Sequence, residues 1–219
     1  MADLIIKPQN TSGDKLILQD QAGGAILTTA DSGATIANAA LTTPTIANMA
    51  NCTFPAGHIL QTKSVTFNGI QTIGNGSNNG TTFVQITNFS IAMTLSSSNN
   101  KLVGYGTVCL SGNERYSAMK LYKDGSIIVS TTADIDSRTA VLASGLANSN
   151  TTGDNLMMHN SSFAFEYLPG DTSSHTYTIL AGNTNSVAKK TFINRSSDDE
   201  NGAHSTRGVS TWILMEVEI

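Results

Sequence analysis

Charge is scarce in this sequence: 12 Lys and Arg with 16 Asp and Glu make only 13% of its 219 residues, about half the usual share. The net charge is -4 and no Lys/Arg cluster occurs, which argues against a nucleic-acid-binding face. Long apolar runs are also missing. No window nears the roughly 18 consecutive apolar residues of a membrane-spanning helix. The opening MADLIIKPQN has only Leu4-Ile5-Ile6 as an apolar run, too short for a signal peptide, so no membrane insertion is expected. Of the two cysteines, Cys52 and Cys109 lie in different regions without a second pair. Both are expected to be reduced, Cys109 as a small buried residue of a strand. No helical period appears anywhere, which removes helix-based architectures.

Catalytic and ligand-binding signatures are equally thin. His58, His159, His175 and His204 are dispersed, and no HxH or HExxH spacing brings two together; no metal site is expected from them. No Gly-x-Ser-x-Gly nucleophile turn is present, and Gly74-Asn75-Gly76 and Asn79-Gly80 lack the Gly-Lys-Ser/Thr of a phosphate loop. Asp134, Asp136, Asp154 and Glu166 are the carboxylates from which a glycosidase pair would have to be drawn. The aromatics Tyr105, Tyr116, Tyr122, Phe163, Phe165, Tyr167 and Tyr177 fall within expected strands. Packing or subunit contact is their expected role, and no carbohydrate platform can be named. The chain reads as non-enzymatic, without cofactor.

What is abundant is Ser, Thr, Asn and Gly, a bias toward hydroxyl-bearing strands and turns. The chain organises itself around residues 35–58, where Thr35-Ile36-Ala37-Asn38 returns ten residues later as Thr45-Ile46-Ala47-Asn48. Large apolar residues there are too sparse to form a core. Repeats that cannot bury their own face stack on copies of themselves, and two copies are too few for a solenoid. The expectation is a shaft of identical chains with Ile36, Leu41, Ile46, Met49 and Phe54 along the shared seam. Three regions follow: an N-terminal attachment segment over 1–29 with two short strands, a shaft over 30–57 and a head over 58–219.

In the head, β-branched and aromatic residues alternate with polar ones. Strands are expected near 58–67, 82–95, 101–110, 115–122, 126–132, 156–167, 175–181, 190–194 and 209–219. Phe163, Phe165 and Tyr167 share one strand face. Ile213, Met215, Val217 and Ile219 share another, with Glu216 and Glu218 turned away. Lys123-Asp124-Gly125-Ser126 is a hairpin signal. So many short strands predict an all-β fold, a jelly-roll-like antiparallel sandwich carried on an intertwined shaft. Two long polar stretches, 133–155 and 196–208, are the expected binding loops, with Asp134 and Asp136 in one and Asp198, Asp199 and Glu200 in the other. Neither carboxylate group follows a calcium-loop pattern.

With these parts in hand, the chain resembles the short, trimeric fibre or spike proteins of tailed bacteriophages, particularly those of marine and cyanobacterial hosts. The resemblance rests on the Ala/Thr/Ile-rich repeats, on Thr53-Phe54-Pro55-Ala56-Gly57-His58-Ile59-Leu60-Gln61, and on the last strand Ser210-Thr211-Trp212-Ile213-Leu214-Met215-Glu216. It implies a homotrimer on the virion, assembled in the host cytoplasm and joined to other virion proteins through its N-terminal segment. As a tail fibre the head would contact a host surface glycan or receptor. As a capsid decoration it would stabilise the shell instead. A glycan-cleaving head is a third alternative.

Overall fold

A computed structural model describes residues 17–19, 25–30, 33–36, 56–74, 83–112, 117–129, 139–144, 158–184, 190–199, 201–203 and 205–219. The chain divides into two units, Met1–Thr53 and Phe54–Ile219.

In the first unit three strands, β1 (Ile17–Gln19), β2 (Ala25–Ala30) and β3 (Gly33–Ile36), form an antiparallel sheet in that order. β3 begins the stretch that the sequence assigns to the shaft, and its Ile36 stands opposite Leu27. The other seam residues, Leu41, Ile46, Met49 and Phe54, lie outside the described residues.

The second unit is all-β among its described residues and forms two curled antiparallel sheets. Its strands are β4 (Ile59–Phe67), β5 (Gln71–Ile73), β6 (Val84–Thr94), β7 (Lys101–Gly112), β8 (Ser117–Lys123), β9 (Ser126–Val129), β10 (Ala143–Ser144), β11 (His159–Tyr167), β12 (Ser174–Asn183), β13 (Thr191–Ile193) and β14 (Ser210–Val217). One sheet runs β4-β14-β7-β13-β5, with β11 on the other edge of β7; the second runs β10-β8-β12-β6, with β9 beside β8. The chain crosses repeatedly between the sheets, as in a jelly-roll sandwich. Nearly every strand matches an expected one. The exceptions are β5 and β10, too short to show a period.

Alternation sets what each strand buries. Ile86, Phe89, Ile91 and Met93 of β6, Met119 and Leu121 of β8, and Tyr177 and Ile179 of β12 face Leu102, Val108, Phe163, Phe165, Trp212 and Leu214 of the opposite sheet. Trp212, the sole tryptophan, sits at the centre. Its ring centroid lies 6.4–6.5 Å from those of Phe89, Phe163 and Phe165, and its indole N–H donates to the Phe89 carbonyl. Each such ring pair contributes about 0.5–1.5 kcal/mol beyond its area. The rings fit because β7 carries Gly104 and Gly106. A Cβ on Gly104 would lie 2.3 Å from the Phe165 ring, and one on Gly106 would lie 2.4 Å from Trp212 Cβ.

Two irregularities serve the same packing. β6 places both Thr87 and Asn88 outward between inward Ile86 and Phe89. Asn88 has φ 52° there, and the β12 register slips between Thr178 and Leu180, which marks a bulge. The β8–β9 hairpin turns through Asp124 (φ 48°) and Gly125 (φ 83°). That double left-handed turn matches the twist of its strands and realises the hairpin expected from Lys123-Asp124-Gly125-Ser126.

The phase of β14 corrects the sequence reading. Trp212, Leu214 and Glu216 point inward, while Ile213 and Met215 lie half-buried on the outer face. Glu216 does not turn away; it is fully buried. Gln61 Nε2 donates to its Oε2, and Oε1 accepts from the Ser96 N–H, the Ser96 hydroxyl and Asn100 Nδ2, each at 2.7 Å. Burial pushes the Glu216 carboxyl up, but these donors outweigh it and hold the group below its ordinary value. A satisfied carboxylate can therefore occupy an inward position that hydrophobic pattern alone would refuse.

Candidate functional site

The outer face of the six-stranded sheet comes from the residues that alternation leaves pointing away from the core. Across the middle of β11, β7 and β14 two rows stand side by side. Ser162, Thr107 and Thr211 form one, being opposite one another in register; Ala164, Tyr105 and Ile213 form the next. Rows two residues apart are separated by about 7 Å. Between them, over the bare backbone of Gly106, lies a hollow of about 290 Å³. Tyr105 is 45% exposed there, and no charged side chain lines the hollow.

The hydroxyls retain hydrogen-bonding capacity. Thr107 Oγ1 and Ser162 Oγ share one bond at 3.2 Å. Thr211 Oγ1 lies 3.2 Å from Thr66 Oγ1 and donates to the Val65 carbonyl at 3.2 Å. A hydroxyl is one donor and two acceptors, so these rows leave acceptor lone pairs open. Of the strand aromatics, Tyr105 stands exposed on this outer face. Phe163, Phe165 and Tyr177 are buried as expected, and Tyr167 is half-buried.

Elsewhere one cluster of titratable groups is tied together. His175 of β12 bridges two carboxylates, Nδ1 to Asp124 Oδ2 at 2.5 Å and Nε2 to Asp171 Oδ1 at 2.8 Å. Lys123 Nζ lies 3.5 Å from Asp171. Desolvation lowers the imidazole pKa, but the two carboxylate bonds outweigh it and raise it above 6.5. Asp171 is pulled down to about 2, first by the Ser173 N–H and then by His175. Asp124 is lowered chiefly by the Thr176 N–H and then by His175. Sequence reasoning missed this cluster, since its two halves, Lys123-Asp124 and Asp171 with His175, are remote along the chain and only the turn at Asp124 carried a local signal.

Of the acidic loop residues, Asp199 pairs with Arg207 and lies 3.6 Å from Arg195. Arg195 in turn stacks over the Phe192 ring at 4.1 Å. The Asp198 carbonyl accepts the Ser196 and Ser205 hydroxyls, so this loop is braced on itself. Asp134, Asp136, Asp154, Glu200 and His204 lie outside the described residues. Glu166 pairs with Lys101 at 3.1 Å. His58 is exposed at the entry to β4 and His159 begins β11. Among the described residues no three His, Cys, Asp or Glu side chains are placed to hold a metal ion. Cys109 is buried and unpaired with another cysteine. Its Sγ contacts Asn160 Oδ1 at 3.0 Å, and burial pushes the thiol pKa up, away from reactivity.

No family model matches this chain, and no curated protein sequence does. Among solved structures it is similar to the structure of infectious bursal disease virus strain Gx at 13% identity and TM-score 0.35, covering 81% of this chain and 42% of that one. The VP2 subviral particle of the same virus matches at 13% identity and TM-score 0.32, covering 92% of this chain and 53% of the other. The particle with T=1 symmetry derived from that virus matches at 14% identity and TM-score 0.31, covering 90% and 46%. The chain thus spans about half the length of the solved structures it matches.

Proposed function

We propose that this chain is a non-enzymatic structural protein of a virion surface, a trimeric fibre or spike of the tailed-phage kind whose sandwich head contacts the host. The observation that carries the reading is the open sheet face around Tyr105, set on a head whose described carboxylates and cations are largely engaged with each other. Such a head is suited to adhesion: a rigid scaffold presents a patterned surface. The repeat in 35–58, whose apolar residues need copies of themselves for burial, supplies the self-association. Weak single contacts multiplied over several heads then give useful avidity.

Light scattering of the full chain tests the assembly, with a mass near three times 23.0 kDa expected. A folded single chain at micromolar concentration overturns it. Imaging of particles labelled on this protein tests the place: a few copies at the tail support host contact. Hundreds spread over the shell replace that function with decoration of the capsid.

A further inference from the structure

Resting on that reading, we infer that the hollow over Gly106 is a binding site for a neutral sugar ring. Three features of the site converge on that ligand class. One wall is apolar, formed by the exposed Tyr105 ring and Ile213; the facing wall is a row of three hydroxyls, Thr211, Thr107 and Ser162, drawn from three adjacent strands. A pyranose has the same two-sided character, with a C–H face that stacks on an aromatic ring and an edge of hydroxyls that both donate and accept.

The absence of any charged residue in the lining disfavours phosphate, carboxylate and ammonium ligands, whose desolvation would go uncompensated. The volume of about 290 Å³ lies at the small end of ligand pockets, which suits one ring of a longer glycan. All five wall residues lie on hydrogen-bonded strands of one sheet, so the walls are set before the ligand arrives and little ordering opposes binding.

The test uses the full chain and saturation-transfer NMR with methyl glucoside, methyl galactoside, methyl mannoside and N-acetylglucosamine as probes. At least one is expected to receive saturation, with a Kd on the order of 1 mM, as befits a ligand of about a dozen heavy atoms. Tyr105→Ala should weaken that binding tenfold or more, while Tyr105→Phe, which keeps the ring, should stay within about twofold. Thr107→Val, which keeps the shape and removes the central hydroxyl, should weaken it several-fold with an unchanged circular dichroism spectrum. Absence of transfer to all four probes at 50 mM overturns the site, as does binding that survives Tyr105→Ala undiminished. Signals of 105–107 that move with protein concentration alone would also overturn it, by showing a second copy seated there. A trimeric mass beside a negative sugar result would reject this site and leave the virion reading standing; a monomeric mass beside sugar binding would do the reverse.

Discussion

Single residues carry the parts of this fold that hydrophobic pattern cannot express. Glu216 takes four hydrogen bonds in the interior, and its partners Ser96, Asn100 and Gln61 stand 116 to 155 positions away. Local reading placed it outside for that reason: the donors that make burial tolerable are remote in sequence. Glu216→Gln replaces one acceptor with a donor facing donors, so we expect a loss of about 3 kcal/mol. Thermal unfolding should then fall by roughly 10 °C. Gly106→Ala is the second residue-scale test. Its Cβ would meet Trp212 Cβ at 2.4 Å and the Thr211 carbonyl at 2.5 Å, and backbone cannot step aside as a flexible side chain can. A cost of about 2–3 kcal/mol is expected, with loss of the near-ultraviolet dichroism of Trp212. An unchanged unfolding midpoint would contradict the packing described here.

Among the elements, the hairpin of β8 and β9 shows how a legible turn can hide an illegible network. Asp-Gly announced the turn, and both residues take the left-handed backbone it needs. That the Asp124 carboxylate would also receive the Thr176 N–H and His175 could not be seen, because β12 reaches the turn only through sheet pairing. The pH dependence follows from the two kinds of shift. His175 has a raised pKa, so its contribution is full below pH 6.5 and fades as pH rises through the folded-state value. Asp124 and Asp171 are lowered from 3.8; their contribution is present above that value and fades as pH falls toward about 2. The hairpin should therefore be firmest between roughly pH 4 and 6.5. Proton NMR titration of His175 should give a midpoint above 6.5, and Asp171→Asn should bring it down. A midpoint below 6.5 in the unaltered chain would contradict the bridge.

The head's longer strands were legible almost one by one, since alternation over eight or more residues is hard to mimic by chance. Phe163, Phe165 and Tyr167 in β11 are the clearest case. Sheet membership was not legible: nothing local tells β6 and β7, neighbours in sequence, to join opposite sheets. The open site was hidden for a related reason. A tyrosine in a strand looks alike from either side of the sheet, and Tyr105 could be assigned outward only once Gly104 and Gly106 were seen under aromatic rings.

For the molecule as a whole, the second unit has its own core from Ile73 to Leu214. A chain beginning at Phe54 should keep the near-ultraviolet signature of Trp212. If that shortened chain also falls from three copies to one by light scattering, residues before 54 drive assembly. If it stays trimeric, the head carries the threefold contact.

The pairing of β4 with β14 sets a timetable for synthesis. β4 opens the head and β14 comes after all its other strands, yet the two lie side by side, Thr66 opposite Thr211. At ordinary translation speeds, on the order of 10–30 s pass between the emergence of one and the other. Throughout that interval β4 is an unpaired strand open to neighbouring nascent chains. Its run Gln61-Thr62-Lys63-Ser64, polar at every position, keeps the waiting edge soluble until its partner is made.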